Sequence, residues 1–134
     1  MRDPIRFRTF TVDCFFGALW RIVFVVEPRS LGKNDAKLRV LQVINGFPPY
    51  AMAGVEVYTY NLCKALSALP DVDVSVFSRA DDLYSPFYSV RREDYYGIRV
   101  YSIAKPCRDH LFEDKFLDPL VDCVFRQLLV DIRP

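Results

Sequence analysis

Leu38-Arg39-Val40-Leu41-Gln42-Val43-Ile44 runs directly into Asn45-Gly46-Phe47-Pro48-Pro49-Tyr50-Ala51-Met52-Ala53-Gly54-Val55-Glu56, and the reading of this stretch decides the fold. The first run is apolar and β-branched, which marks a buried strand. A loop carrying Gly and Pro follows and opens into an amphipathic run that ends near Leu69. Strand, glycine-bearing loop and helix start, in that order, form the usual anion site of α/β proteins. Backbone N–H groups and the positive end of the helix dipole converge there on a phosphate. Gly54 is placed to meet such a group, or simply to start the helix. Asn45 and Gly46 follow the carboxyl end of the strand, where α/β proteins bind ligands. Asn-Gly is also ordinary turn chemistry.

Outward from this stretch, Val55, Tyr58, Leu62, Ala65, Leu66 and Leu69 recur at helical spacing and predict the buried face of a helix over 54–69. Pro70-Asp71 ends it. A second strand is expected over Val72–Phe77, with Val72, Val74 and Val76 alternating against Asp73, Ser75 and Phe77. A loop runs from Ser78 to about Tyr88. Ser89–Asp94, the turn signal Tyr96-Gly97 and Ile98–Ile103 then predict a hairpin. Lys105–Lys115 reads as a loop. Asp118 before Pro119 places a capping carboxylate ahead of a proline suited to the first helical position. The helix it opens should bury Leu120, Val121, Val124, Phe125, Leu128, Leu129 and Ile132, and Arg133-Pro134 should end it.

Strand, helix and strand in succession demand a right-handed crossover and a parallel pair. The fold class is therefore α/β, a partial Rossmann-like unit with a parallel sheet and flanking helices. The strands are few for such a sheet. The chain stops after a helix, where a further buried strand is expected, so it reads as a piece of a larger protein.

The 134 residues amount to one domain at most, long enough to bury a core. Hydrophobic residues make up 51% of the chain, which argues against disorder. The net charge of +1 gives no electrostatic ground for a nucleic-acid partner. Cys14, Cys63, Cys107 and Cys123 lack metal-ligand spacing and His110 is the sole histidine, so no metal site is expected. Cys63 and Cys123 fall on helices among apolar neighbours and read as small buried hydrophobes in a reducing compartment. The expected location is the cytoplasm.

Cys14–Val26 is apolar but interrupted by Arg21, and shorter than the roughly 20 residues that span a bilayer. Glu27-Pro28-Arg29-Ser30 is a poor signal-peptide cleavage site. Three readings stand: a membrane-surface segment, an extra element packed on the domain, or an extension upstream of it. Residues 27–37 have linker composition. The domain is accordingly bounded at 37–134, with 1–36 as an N-terminal extension of unassigned structure. Peripheral contact with the inner face of the membrane stays open.

Residues 37–134 resemble the N-terminal domain of glycosyltransferase family 4, retaining enzymes of GT-B architecture. The Phe47-Pro48-Pro49 loop and Ala53-Gly54-Val55-Glu56 match the family's Phe-Pro-Pro-like loop and its Gly-Gly-Val-Glu helix start. Tyr58, Asn61, Leu62 and Ala65-Leu66 fit its first helix, and Val72–Phe77 its second strand. Gly97–Val100 fits a later strand, and Phe125, Leu128-Leu129 and Asp131–Pro134 the helix before a histidine-bearing segment. The resemblance implies sugar transfer from a nucleotide-diphosphate sugar to a glycosyl acceptor, with no cofactor. It adds Ala53, standing where the family carries a first glycine, to Gly54, Asn45 and Gly46 as substrate- or phosphate-binding residues. It assigns no catalytic residue here, because the histidine segment and the C-terminal GT-B domain lie outside this sequence. The fragment alone is then expected to be inactive.

The other side chains with chemistry have plainer readings. Glu56 in the first helical turn suits the dipole. His110 reads as a surface residue, and Asp81-Asp82 and Glu93-Asp94 as solvated acids with nothing to pair them for acid/base work. Arg91-Arg92 could meet a phosphate but make a weak patch. A non-enzymatic phospholigand-binding or partner-docking α/β module is the alternative reading. A nicotinamide-dependent oxidoreductase is disfavoured. Gly-x-Gly-x-x-Gly does not occur after the first strand, and Phe77-Ser78 offers no acid to a ribose.

Overall fold

The computed structural model describes residues 37–105 and 118–132 in full, and 8–13 and 21–26 as backbone strands. The strands are β1 (Arg8–Asp13), β2 (Arg21–Val26), β3 (Leu38–Ile44), β4 (Val72–Ala80), β5 (Val90–Tyr95) and β6 (Ile98–Ala104). The helices are α1 (Gly54–Ser67) and α2 (Pro119–Ile132). They build one sheet of order β1-β2-β3-β4-β6-β5. β3, β4 and β6 are parallel, in the register Val40↔Val74 and Val76↔Val100. β5 returns antiparallel on β6 through the expected hairpin, and β1 and β2 extend the sheet antiparallel beyond β3. The fold is α/β, and its parallel strands with flanking helices are compatible with a Rossmann-like unit.

The alternation of side chains divides the core between two faces. Val40, Ile44, Val74, Val76, Ile98 and Val100 pack with Phe47 and with Cys63 of α1. Leu41, Phe77, Tyr101 and Ile103 pack on the other face with Leu128, flanked by Val121, Val124, Phe125 and Leu129 of α2. Each helix therefore covers its own side of the sheet. Burial on both faces explains why the middle of β4, Val74 to Ser78, is apolar or small, and the strand runs on to Ala80, beyond the expected end at Phe77.

Three details correct the sequence reading. α1 buries Glu56, Thr59 and Cys63, while Tyr58 and Leu69 are exposed and the helix ends at Ser67. The Tyr60 ring sets this rotation: it stands edge-on to Phe47 at 6.3 Å and to Tyr95 at 5.5 Å. Such aromatic contacts outweigh the burial of Tyr58, two residues away on the opposite side of the helix. In α2, Leu120 and Cys123 are exposed. Both lie off the stripe defined by Val121, Val124, Phe125 and Leu128. His110, Cys14, Cys107, Arg133 and most of the expected 105–115 loop lie outside the described residues.

Two turns follow from local chemistry. Tyr96 and Gly97 both have positive φ, 50° and 81°, as a two-residue type I′ hairpin turn requires. Asp94 Oδ1 accepts the Gly97 N–H at 2.9 Å. At α2, Asp118 Oδ1 accepts the Leu120 N–H at 2.9 Å and so forms the expected N-cap.

Candidate functional site

The loop from Asn45 to Ala53 leaves the carboxyl end of β3 and is pinned along its length. The Asn45 carbonyl accepts the Arg79 N–H at 3.2 Å, carrying the β3–β4 ladder one step further. Phe47 is 2% exposed and anchors the loop in the α1-side core. The peptide bond between Pro48 and Pro49 is cis. The Ala51 N–H donates to the Phe47 carbonyl at 3.2 Å and closes the loop on itself.

Gly46 is buried where that closure is tightest. A Cβ built on it would lie 2.7 Å from Ala51 Cβ and 3.7 Å from Glu56 Oε1. The start of the loop thus touches the first turn of α1. Gly46 serves packing here, and the absence of a side chain is what lets the two ends of the loop meet.

Ala53 is the N-cap of α1, with φ −88° and ψ 180°. Its carbonyl accepts the Val57 N–H at 3.1 Å, while its methyl side chain caps nothing. The first amides of a helix have no intrahelical acceptor, and serine, threonine or aspartate at the cap usually supplies one. Alanine leaves them to an outside acceptor. Gly54, next in line, is exposed, and a Cβ there would meet nothing within 4 Å. Ala53 and Gly54 therefore present backbone at an open, electropositive helix end. Asn45 is exposed at the start of the loop, and Gly46 is turned inward.

The structure adds polar groups that the sequence reading left aside. Glu56 is 5% exposed and its Oε2 has no partner; Thr59 Oγ1 and both amide atoms of Gln42 are likewise buried and unpartnered. Gln42 shares its face of β3 with Val40 and Ile44 (it pairs in register with Val76), so all these groups line the layer between sheet and α1. One signal was available in the sequence: Gln42 interrupts an otherwise apolar strand. Glu56 stands in the first turn of α1, where its charge suits the dipole as expected, and it is buried there.

Arg91 ties the loop to its neighbours. Its Nε lies 2.6 Å from Glu93 Oε1 and its Nη1 3.8 Å from Asp82 Oδ2. Its Nη2 donates to the Tyr50 hydroxyl at 3.3 Å, and the guanidinium sits 5.8 Å from the centre of the Tyr50 ring. Asp82 organises the loop after β4. Its Oδ1 accepts the Tyr84 N–H at 2.8 Å and its Oδ2 the Ser85 hydroxyl at 2.6 Å. The Ser85 hydroxyl and the amides of Tyr84 and Ser85, with help from Arg91, hold the Asp82 carboxyl below its ordinary range. Among the described residues, no group of three or more His, Cys, Asp or Glu could hold a metal ion, and no helix is long and apolar enough to cross a membrane.

The site can thus hold an anion on main-chain amides at Ala53-Gly54, beside a carboxylate and hydroxyl-bearing interior. No family model matches this chain, and no curated protein matches it significantly.

Proposed function

We propose that residues 37–134 form the acceptor-side, N-terminal part of a retaining glycosyltransferase, which moves a sugar from a nucleotide-diphosphate sugar to an acceptor. One observation carries the reading. The loop leaving the carboxyl end of β3 delivers an uncapped, sterically open helix start at Ala53-Gly54. Oxyanions of a diphosphate or of a phosphorylated acceptor suit free amides at a positive helix end. The resemblance of the ordered motifs to glycosyltransferase family 4 supplies the reaction class. In that family donor chemistry needs a second domain, so these residues by themselves are expected to bind without turnover.

The test is a titration of the 15N-labelled chain with uridine and guanosine diphosphates and their sugar conjugates. Saturable shifts of the Gly54 and Val55 amides, lost in Gly54→Val, are the expected result. Unmoved amides in that turn at millimolar ligand would overturn the site. The second reading, a non-catalytic phospholigand-binding or partner-docking module, draws on the same open helix start. It prevails if simple phosphate esters bind as tightly as nucleotide diphosphates.

A further inference from the structure

β5 ends the sheet on one side, and no strand lies beyond it among the described residues. Its pairing with β6 fixes which of its backbone groups are spare. Tyr95 and Ile98 close the two-residue Tyr96-Gly97 turn and exchange hydrogen bonds. Bonding alternates along an antiparallel pair, so Glu93 and Arg91 also turn their N–H and C=O groups to β6. Arg92 and Asp94 turn theirs to the open edge. Both of these side chains are exposed, as are Val90 and Tyr96 at the two ends of the strand.

Charged residues on an edge ordinarily keep other strands away. In β5 they are ordered Arg91-Arg92-Glu93-Asp94, positive before negative, so an antiparallel copy of the same strand brings opposite charges together. A twofold axis normal to the sheet leaves every side chain on its own face, and the axis must then pass through a residue. At Glu93 it sets Arg92 against Asp94 of the second copy, once on each side of the axis. These are the residues with spare backbone groups, and each such pair can exchange both its N–H···O bonds. Val90 falls opposite Tyr96, and Arg91 opposite Tyr95. The two Glu93 carboxylates meet at the axis, each already held by its own Arg91 at 2.6 Å. An axis at Arg92 would instead bring together two guanidiniums that have no ion pair or hydrogen bond among the described residues. Charge therefore selects the axis at Glu93.

We infer that β5 pairs antiparallel with the β5 of a second copy of this chain about an axis at Glu93, joining the two sheets into one. A six-residue edge makes a small interface, so the dimer is a weak one that forms as concentration rises. The pairing uses neither Ala53 nor Gly54, and the inference does not rest on the function proposed above.

The experiment is sedimentation equilibrium of the full chain across a dilution series, with amide exchange of the 15N-labelled chain followed at both ends of the series. The expected result is a monomer–dimer equilibrium in which the Arg92 and Asp94 amides exchange slowly only at high concentration, while those of Arg91 and Glu93 are protected throughout. Arg92→Asp puts like charges opposite each other on both sides of the axis and should weaken self-association roughly tenfold or more. Asp94→Lys should do the same. Mixed together, the two variants meet only in opposite-charge pairs, and a heterodimer of near-parent affinity should return. Asp94→Lys also removes the hydrogen bond from the Gly97 amide, so thermal melts of both variants accompany the mixture. Should Asp94→Lys melt early, Arg92→Asp and the exchange of the parent amides still decide. A monomer at every concentration, or self-association that Arg92→Asp leaves unchanged, would overturn the inference.

Discussion

Lys105 Nζ lies 2.6 Å from Asp118 Oδ2, and both side chains are only 13% exposed. The same oxygen accepts the Tyr88 hydroxyl at 3.0 Å, while Asp118 Oδ1 caps α2. One carboxylate thereby joins the end of β6, the loop before β5 and the start of α2. Burial alone would raise its pKa; Lys105, the Leu120 amide and Tyr88 outweigh that and hold it below the ordinary carboxylate range.

The sign of the pH dependence follows. A carboxyl with a depressed folded pKa stabilises the protein above its unfolded value, and that contribution fades as pH falls through the folded one. Asp118→Asn should therefore cost about 1–3 kcal/mol at neutral pH and progressively less below about pH 4. Urea unfolding of both proteins across that range checks it. A constant difference would show that Asp118 is not titrating from this geometry.

Gly46→Ala should destabilise the chain by roughly 1–3 kcal/mol, the usual cost of overpacking. The added methyl meets Ala51 Cβ at 2.7 Å. Ala51→Gly in the same chain should restore much of the loss, because it removes the atom that is struck. Thermal melts of the two single variants and the double variant give the coupling.

Gly54→Val is expected to melt within roughly 1 kcal/mol of the parent, since the new side chain enters open space. Ala53→Asp should stabilise α1 by about 0.5–2 kcal/mol by supplying the missing cap. If the site holds an anion, that same carboxylate should weaken nucleotide-diphosphate binding. Higher stability with unchanged affinity would place the ligand elsewhere.

Cys63 is fully buried, and desolvation pushes its thiol up to about 12. Cys123 is exposed. Iodoacetamide near pH 8, where an ordinary thiol is partly ionised, should label Cys123 quickly and Cys63 only on unfolding. Peptide mapping of the native and denatured chains distinguishes them.

A chain starting at Lys37 should still unfold cooperatively, because the two core clusters draw on residues from Val40 to Ile132. It should also self-associate more, since losing β2 bares the backbone edge of β3. Loss of the cooperative melt would place residues 1–36 in the core.

The backbone plan was readable because its signals are local. The β-branched run at 38–44, the Gly/Pro loop, Tyr96-Gly97 and Asp118-Pro119 each act within a few residues. The rotation of α1 was not, because Tyr58 and Tyr60 are equivalent in apolarity. Only Phe47 and Tyr95, brought up by the fold, choose between them. The same holds at the site. Gly54 and Ala53 announce a helix start in the sequence, whereas the inward turn of Gly46 depends on where Ala51 arrives. Arg91 looked like half of a thin basic patch, and its true company, Tyr50 and Asp82, assembles only across strands.

That company has a mechanical meaning. Tyr50 rides on the 45–53 loop and Asp82 on the 81–88 loop, and a single guanidinium clasps both. Pulling Tyr50 aside hands Arg91 wholly to its carboxylates; pulling Asp82 aside loosens the Tyr84–Ser85 turn and returns Arg91 to the ring. The two loops at the carboxyl end of the sheet thus meet through one exposed guanidinium, a link worth at most about 1 kcal/mol.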